Sequence, residues 1–139
     1  MKRILVIVCL MLIATGCHQE IKPSDISRIN GYWEIEKVVL PDGEKKEYKI
    51  NETIDYFEFK DNKGFRAKVT PQFDGKYLQN GHIERIEVTF EDGKTFLNYA
   101  TEYTQWKEEL IELNDKNLVL KNENKLEYHY KKPTPFTVK

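Results

Sequence analysis

Between Gly31 and Lys131 short stretches of alternating apolar and polar residues succeed one another, each closed by a turn signal. YWEIEKVVL (32–40) stops at Pro41-Asp42-Gly43, and TIDYFEFK (53–60) at Asp61-Asn62-Lys63-Gly64. FRAKVT (65–70) leads into a long polar stretch, 71–81, and HIERIEVTF (82–90) turns at Glu91-Asp92-Gly93-Lys94 into TFLNYATE (95–102). QWKEELIEL (105–113), NLVLK (117–121) and KLEYHYK (125–131) follow, with Asn and Asp at their breaks. β-Branched and aromatic residues inside the runs, and Asn, Asp and Gly between them, are what strands and turns require. QWKEELIEL would also suit a helix, but it lacks a cap and its neighbours are strands. Eight strands with short connections pair antiparallel, because parallel pairs need long crossovers. An all-β up-and-down barrel is expected, with a two-sheet sandwich as the alternative.

The first sixteen residues read differently. Lys2 and Arg3 precede an unbroken apolar run, Ile4 to Ala14, of eleven residues. A bilayer-spanning helix takes roughly 20 apolar residues, so the run predicts a secretory signal peptide ending at small residues. Ala14-Thr15-Gly16-Cys17 resembles a bacterial lipobox, although Ala14 stands where Leu is commoner. The resemblance implies that Cys17 becomes the mature N-terminus and carries acyl chains such as palmitate. Two or more chains anchor stably where one binds marginally. A plain signal peptide would leave Cys17 as a free thiol, a liability in an oxidising compartment. Cys9 leaves with the signal, so no disulfide is expected. Cys17 is not followed by Asp, which points to the outer membrane. The expected layout is signal peptide 1–16, tether 17–30, barrel 31–132 and tail 133–139.

Composition adds mainly exclusions. The formal net charge of −1 and the scattered lysines argue against a nucleic-acid partner. The three histidines, His18, His82 and His129, show no zinc-ligand spacing. The carboxylates alternate with apolar residues as on a solvated strand face. Neither a catalytic constellation nor a cofactor is expected.

Gly31-x-Trp33, inside NGYWEI, resembles the opening motif of lipocalins. LIELNDKNLVLKN with LEYHYKK resembles the ending of small bacterial lipocalin-like lipoproteins. The resemblance implies an eight-stranded barrel in which a basic residue from the barrel's end packs over the Trp. An up-and-down order places Lys131 and Lys132 beside Gly31 and Trp33, at a closed end. Segments 41–52 and 71–81 then lie at the other end as long mouth loops. KPSDISRIN would form a short helical plug, capped by Ser24, with Ile26 and Ile29 on one face. His18 to Asn30, thirteen residues, would reach at most about 45 Å if extended. That would hold the cup off the membrane, mouth outward.

Alternation assigns an inner face to Trp33, Ile35 and Val39; Phe57 and Phe59; Phe65, Ala67 and Val69; Ile86, Val88 and Phe90; Leu97 and Tyr99; Leu118 and Leu120; and Leu126, Tyr128 and Tyr130. Lys37 falls between Ile35 and Val39. It either marks a polar site in the cup or sits at a bulge that turns it outward. The first reading predicts a ligand site of Lys37, Val39 and Phe57, with Tyr48 and Tyr77 above. A small apolar or amphipathic ligand is expected, an anionic amphiphile first among the classes. A lipid-tethered protein-binding module with a side-chain-filled barrel is the alternative, since an eight-stranded barrel has room for its own side chains or one small ligand.

Overall fold

Two turns set the frame. Asp61 and Asn62 (φ 52° and 63°) join adjacent strands, and Asp92 and Gly93 (φ 50° and 76°) join another pair. Positive φ at both central positions defines the type I′ turn, whose twist matches that of antiparallel strands. A computed structural model describes residues 19–134; the signal peptide, Cys17, His18 and residues 135–139 lie outside the described residues. The strands are β1 (Gly31–Val39), β2 (Lys45–Glu47), β3 (Ile54–Lys60), β4 (Lys63–Pro71), β5 (Tyr77–Glu91), β6 (Lys94–Ala100), β7 (Gln105–Leu113), β8 (Asn117–Lys121) and β9 (Glu127–Lys131). All pairings are antiparallel in the order β2-β1-β3-β4-β5-β6-β7-β8-β9, and β9 closes on β1. The result is the expected eight-stranded up-and-down barrel, with β2 a short extra strand on the upper edge of β1.

The closed end is packed as a plug. A 3₁₀ helix, Pro23–Ile29, buries Ile26 and Ile29 beneath the barrel. The Trp33 indole N–H donates to the Ile29 carbonyl (2.7 Å). Asn30 bonds Phe59 through both its amide nitrogen and its oxygen. Ser24 lies inside the helix and does not cap it; instead the Asp25 carboxylate accepts from the Lys22 N–H (2.9 Å). The described part of the tether lies against the barrel. Gln19 donates to the Leu113 carbonyl and accepts from its N–H, and Ile21 is buried, so the chain is fixed to the barrel base from Gln19 onward. Barrel and plug thus share one core within residues 19–134.

Two departures from strict alternation decide which residues face in. Ile35 pairs with Tyr130 but Lys37 with His129, so Glu36 is an extra residue in β1. Beyond that bulge Val38 points inward, while Lys37 and Val39 share the outer face with His129 and Glu127. In β4 the phase is opposite to expectation. Phe57 stands opposite Arg66, and Arg66 opposite Glu84, so Gly64, Arg66 and Lys68 face the interior. Phe65, Ala67 and Val69 face out. Ala67 and Val69 are nonetheless buried, because the outer wall has its own apolar layer.

That layer comes from the β4–β5 tip. The stretch 71–81 is not a long loop: β4 reaches Pro71 and β5 starts at Tyr77. Ala67 pairs with Ile83 but Val69 with Gln79, so three β5 residues, among them Gly81 (φ 84°), oppose Lys68 alone. Such an insertion bends its strand. It brings Tyr77 back over the outer wall, where its ring stacks on Tyr32 at 3.8 Å. Tyr32 packs on Tyr56 in turn, at 4.9 Å.

Candidate ligand-binding site

The barrel axis is filled. Trp33, Phe57, Leu97, Tyr99, Leu118 and Leu120 are each at most 1% exposed. Above them lies a charged cluster rather than an apolar cup. The Arg66 guanidinium lies over the Tyr99 ring at 4.6 Å and the Phe57 ring at 5.9 Å. Its Nε donates to Glu84 at 2.6 Å, and its Nη1 is 3.7 Å from Glu108. Asp55, on the Phe57 face of β3, pairs with the Lys68 ammonium at 2.5 Å. Burial works against the charge of Arg66, but Tyr99, Tyr130, Asp55 and Glu84 outweigh it and raise its pKa. Burial pushes the Glu108 carboxyl up despite Arg66, and pushes the Tyr99 and Tyr130 hydroxyls well up.

The five residues expected to form one site are not together. Phe57 is in the core beside Arg66. Lys37 and Val39 face outward because of the Glu36 bulge. Tyr48 lies along the β1 edge, with the Lys46 ammonium 5.3 Å over its ring, and Tyr77 is on the outer wall. At the closed end Lys132, and not Lys131, covers Trp33, its Nζ 4.0 Å from the ring centroid. Gly31 has φ 118°, and a Cβ there would stand 3.7 Å from that ammonium. Lys131 instead stands opposite Glu34 in the β1–β9 register, on the outer face.

Glu34 and Lys131 form the floor of a groove where the ring is least continuous. β1 pairs with β3 only through residues 31–33 and with β2 through 37–39. The acceptors left between are met by the returning chain. Asn51 donates to the Ile35 carbonyl (3.0 Å) and to Glu34 Oε1 (2.9 Å), and the Tyr48 N–H donates to the Glu36 carbonyl (2.9 Å). These bonds fix segment 49–51 as one wall. The β4–β5 tip, held by the Tyr77–Tyr32 stack, is the other. The groove encloses about 300 Å³ and ends at Pro133 and Thr134. Its volume is at the lower end of the roughly 300–1,000 Å³ usual for small-molecule sites. A larger depression of about 570 Å³ on the β4–β7 side is more open.

Sequence reasoning missed both features. Asp55 was accessible, since period two puts it on the face of Phe57 and Phe59. Arg66 was not, because the apolar residues of its strand are the outward ones. Nothing in KIN (49–51) or QFDGK (72–76) indicates that the two segments meet across β1. Among the described residues, no three His, Cys, Asp or Glu side chains are grouped to hold a metal ion.

The family model described as a lipocalin-like domain matches residues 29–120, from the plug through β8. A search of curated protein sequences finds no significant match. Among solved structures, the chain is similar to a lipocalin-like protein from Bacteroides uniformis (12% identity, TM-score 0.47, 76% of this chain and 98% of that one). It is also similar to an uncharacterized protein from Bacteroides eggerthii (13% identity, TM-score 0.46, 75% and 98%).

Proposed function

The chain belongs to the lipocalin-like domain family, and from that premise we propose that it is a lipid-anchored envelope protein that binds a small amphipathic ligand on the outer wall of its barrel. The observation that carries this reading is the contrast between interior and wall. Side chains fill the axis, whereas the 49–51/71–77 groove is walled, of ligand size and held open by named contacts. Binding in a preformed site avoids the cost of ordering its walls.

The anchor is Cys17, in the lipobox-like Ala14-Thr15-Gly16-Cys17, and the proposed location is the outer membrane. Gln19 is fixed to the barrel base, so the two Cα–Cα steps from it to Cys17 span at most about 7 Å. The closed end would then rest near the lipid surface, and the groove, which ends at Pro133 and Thr134, would open beside it. A protein-binding role is the second reading, favoured by Ile50 and Phe73, which are 90% and 87% exposed.

One experiment addresses anchor and ligand together. The Cys17→Ser chain, expressed in its own host, is expected in the soluble fraction. Native mass spectrometry is expected to show it carrying a small amphipathic molecule. Full partition into detergent would contradict the anchor. A bare chain that also fails to take up added amphiphiles would contradict the binding role.

A further inference from the structure

We infer that the ligand of the outer-wall groove is a single-chain amphiphile with an anionic head, held by Lys49, Lys76 and Lys131 at the head and by Ile50, Pro71 and Tyr77 along the chain. This rests on the binding role proposed above and adds the ligand's charge and orientation. Charge is the first argument. Three lysines line the groove against one carboxylate, Glu34, on a chain of formal net charge −1. Asn51 occupies Glu34 Oε1, and among the described residues none of the three lysines has an ion-pair partner within 4 Å. Three ammonium groups converging on one groove with a single carboxylate leave its lining net positive.

Shape and lining supply the second argument. Ile50 stands 90% exposed beside the pinned Asn51, although its segment is fixed against the wall. Ile54, Pro71, Tyr77 and Pro133 continue an apolar strip from it toward the closed end. A lysine-rimmed strip recognises a charged head through one part and a hydrocarbon chain through the other. Both walls are built on hydrogen bonds and a ring stack that need no ligand to form.

The test uses the soluble chain starting at His18, which keeps the plug, the closed barrel and the core they share. Calorimetric titrations compare dodecanoate, dodecanol and dodecyltrimethylammonium below their micelle-forming concentrations. Dodecanoate is expected to bind most tightly, and more weakly as salt is raised. Lys49→Glu and Lys76→Glu are exposed-loop changes that leave the barrel intact. Each is expected to weaken dodecanoate about tenfold, as reversing a charge near a solvated anion does. Ile50→Ser should weaken dodecanoate and dodecanol alike. If dodecanoate binds but neither lysine change alters it, or dodecanol binds equally well, the groove assignment falls while the binding role stands. If none of the three amphiphiles binds, both fall.

Discussion

Glu108 shows how far a single side chain here departs from its sequence-level reading. In QWKEELIEL it looks like one solvated carboxylate among several, yet it stands opposite Leu97 and is 6% exposed. Burial dominates, and its carboxyl titrates above the usual value of 4.5 even with Arg66 beside it. A carboxyl raised in the folded state binds its proton more tightly there than in the unfolded chain. Its contribution to stability is therefore full below pH 4.5 and is lost as pH rises through the folded pKa. Glu108→Gln stays neutral throughout, so its urea midpoint should fall less than the native protein's between about pH 4.5 and 7. Parallel pH profiles would mean that Glu108 is solvated in the folded state. Trp33 and Gly31, by contrast, were legible through their resemblance to the opening motif of lipocalins, and the structure supplies the physical reason: Gly31 has a positive φ and the Lys132 ammonium covers the Trp33 ring.

At the scale of elements, the strands and turns were readable and their phase was not. Alternation and the Asp-Asn and Asp-Gly turns mark the eight barrel strands because both signals are local. Phase is set by tertiary events: the Glu36 bulge in β1, and in β4 an outer apolar layer that lets Ala67 and Val69 face outward while Arg66 turns in. A one-residue slip moves every side chain to the other face. Deleting Glu36 should therefore leave an unbulged ladder, with Ile35 still opposite Tyr130, Lys37 opposite His129 and Val38 opposite Tyr128, and cost on the order of 1 kcal/mol for the lost Tyr48 N–H acceptor. Deleting Glu34, between the inward Trp33 and Ile35, should force one of them to the outer face and cost on the order of 3 kcal/mol or more. Equal urea midpoints for the two deletions would place Glu36 outside any bulge. The same reasoning explains the lost mouth loop, since YLQNGH is polar enough to read as a loop and is a strand only because β4 extends to meet it.

For the molecule as a whole, the barrel is a filled scaffold, and the proposed ligand site lies on its outer wall. The charged cluster of Arg66, Glu84, Glu108, Asp55 and Lys68 occupies the space where a deep cup would lie. The groove uses the one stretch of β1 that neither β2 nor β3 pairs. Sequence could supply the closed end, since the up-and-down order alone brings the last strand beside Trp33. It could not supply the groove, which joins segments 49–51, 71–77 and 131–134 through a bent ribbon and a side-chain amide. Amide chemical shifts of the ¹⁵N-labelled soluble chain, titrated with dodecanoate, test this division most directly. Perturbations are expected at Lys49, Ile50, Asn51, Lys76, Tyr77 and Lys131, with Phe57, Leu97 and Leu118 unmoved. Perturbations centred on Phe57, Leu97 and Leu118, with the groove silent, would contradict it.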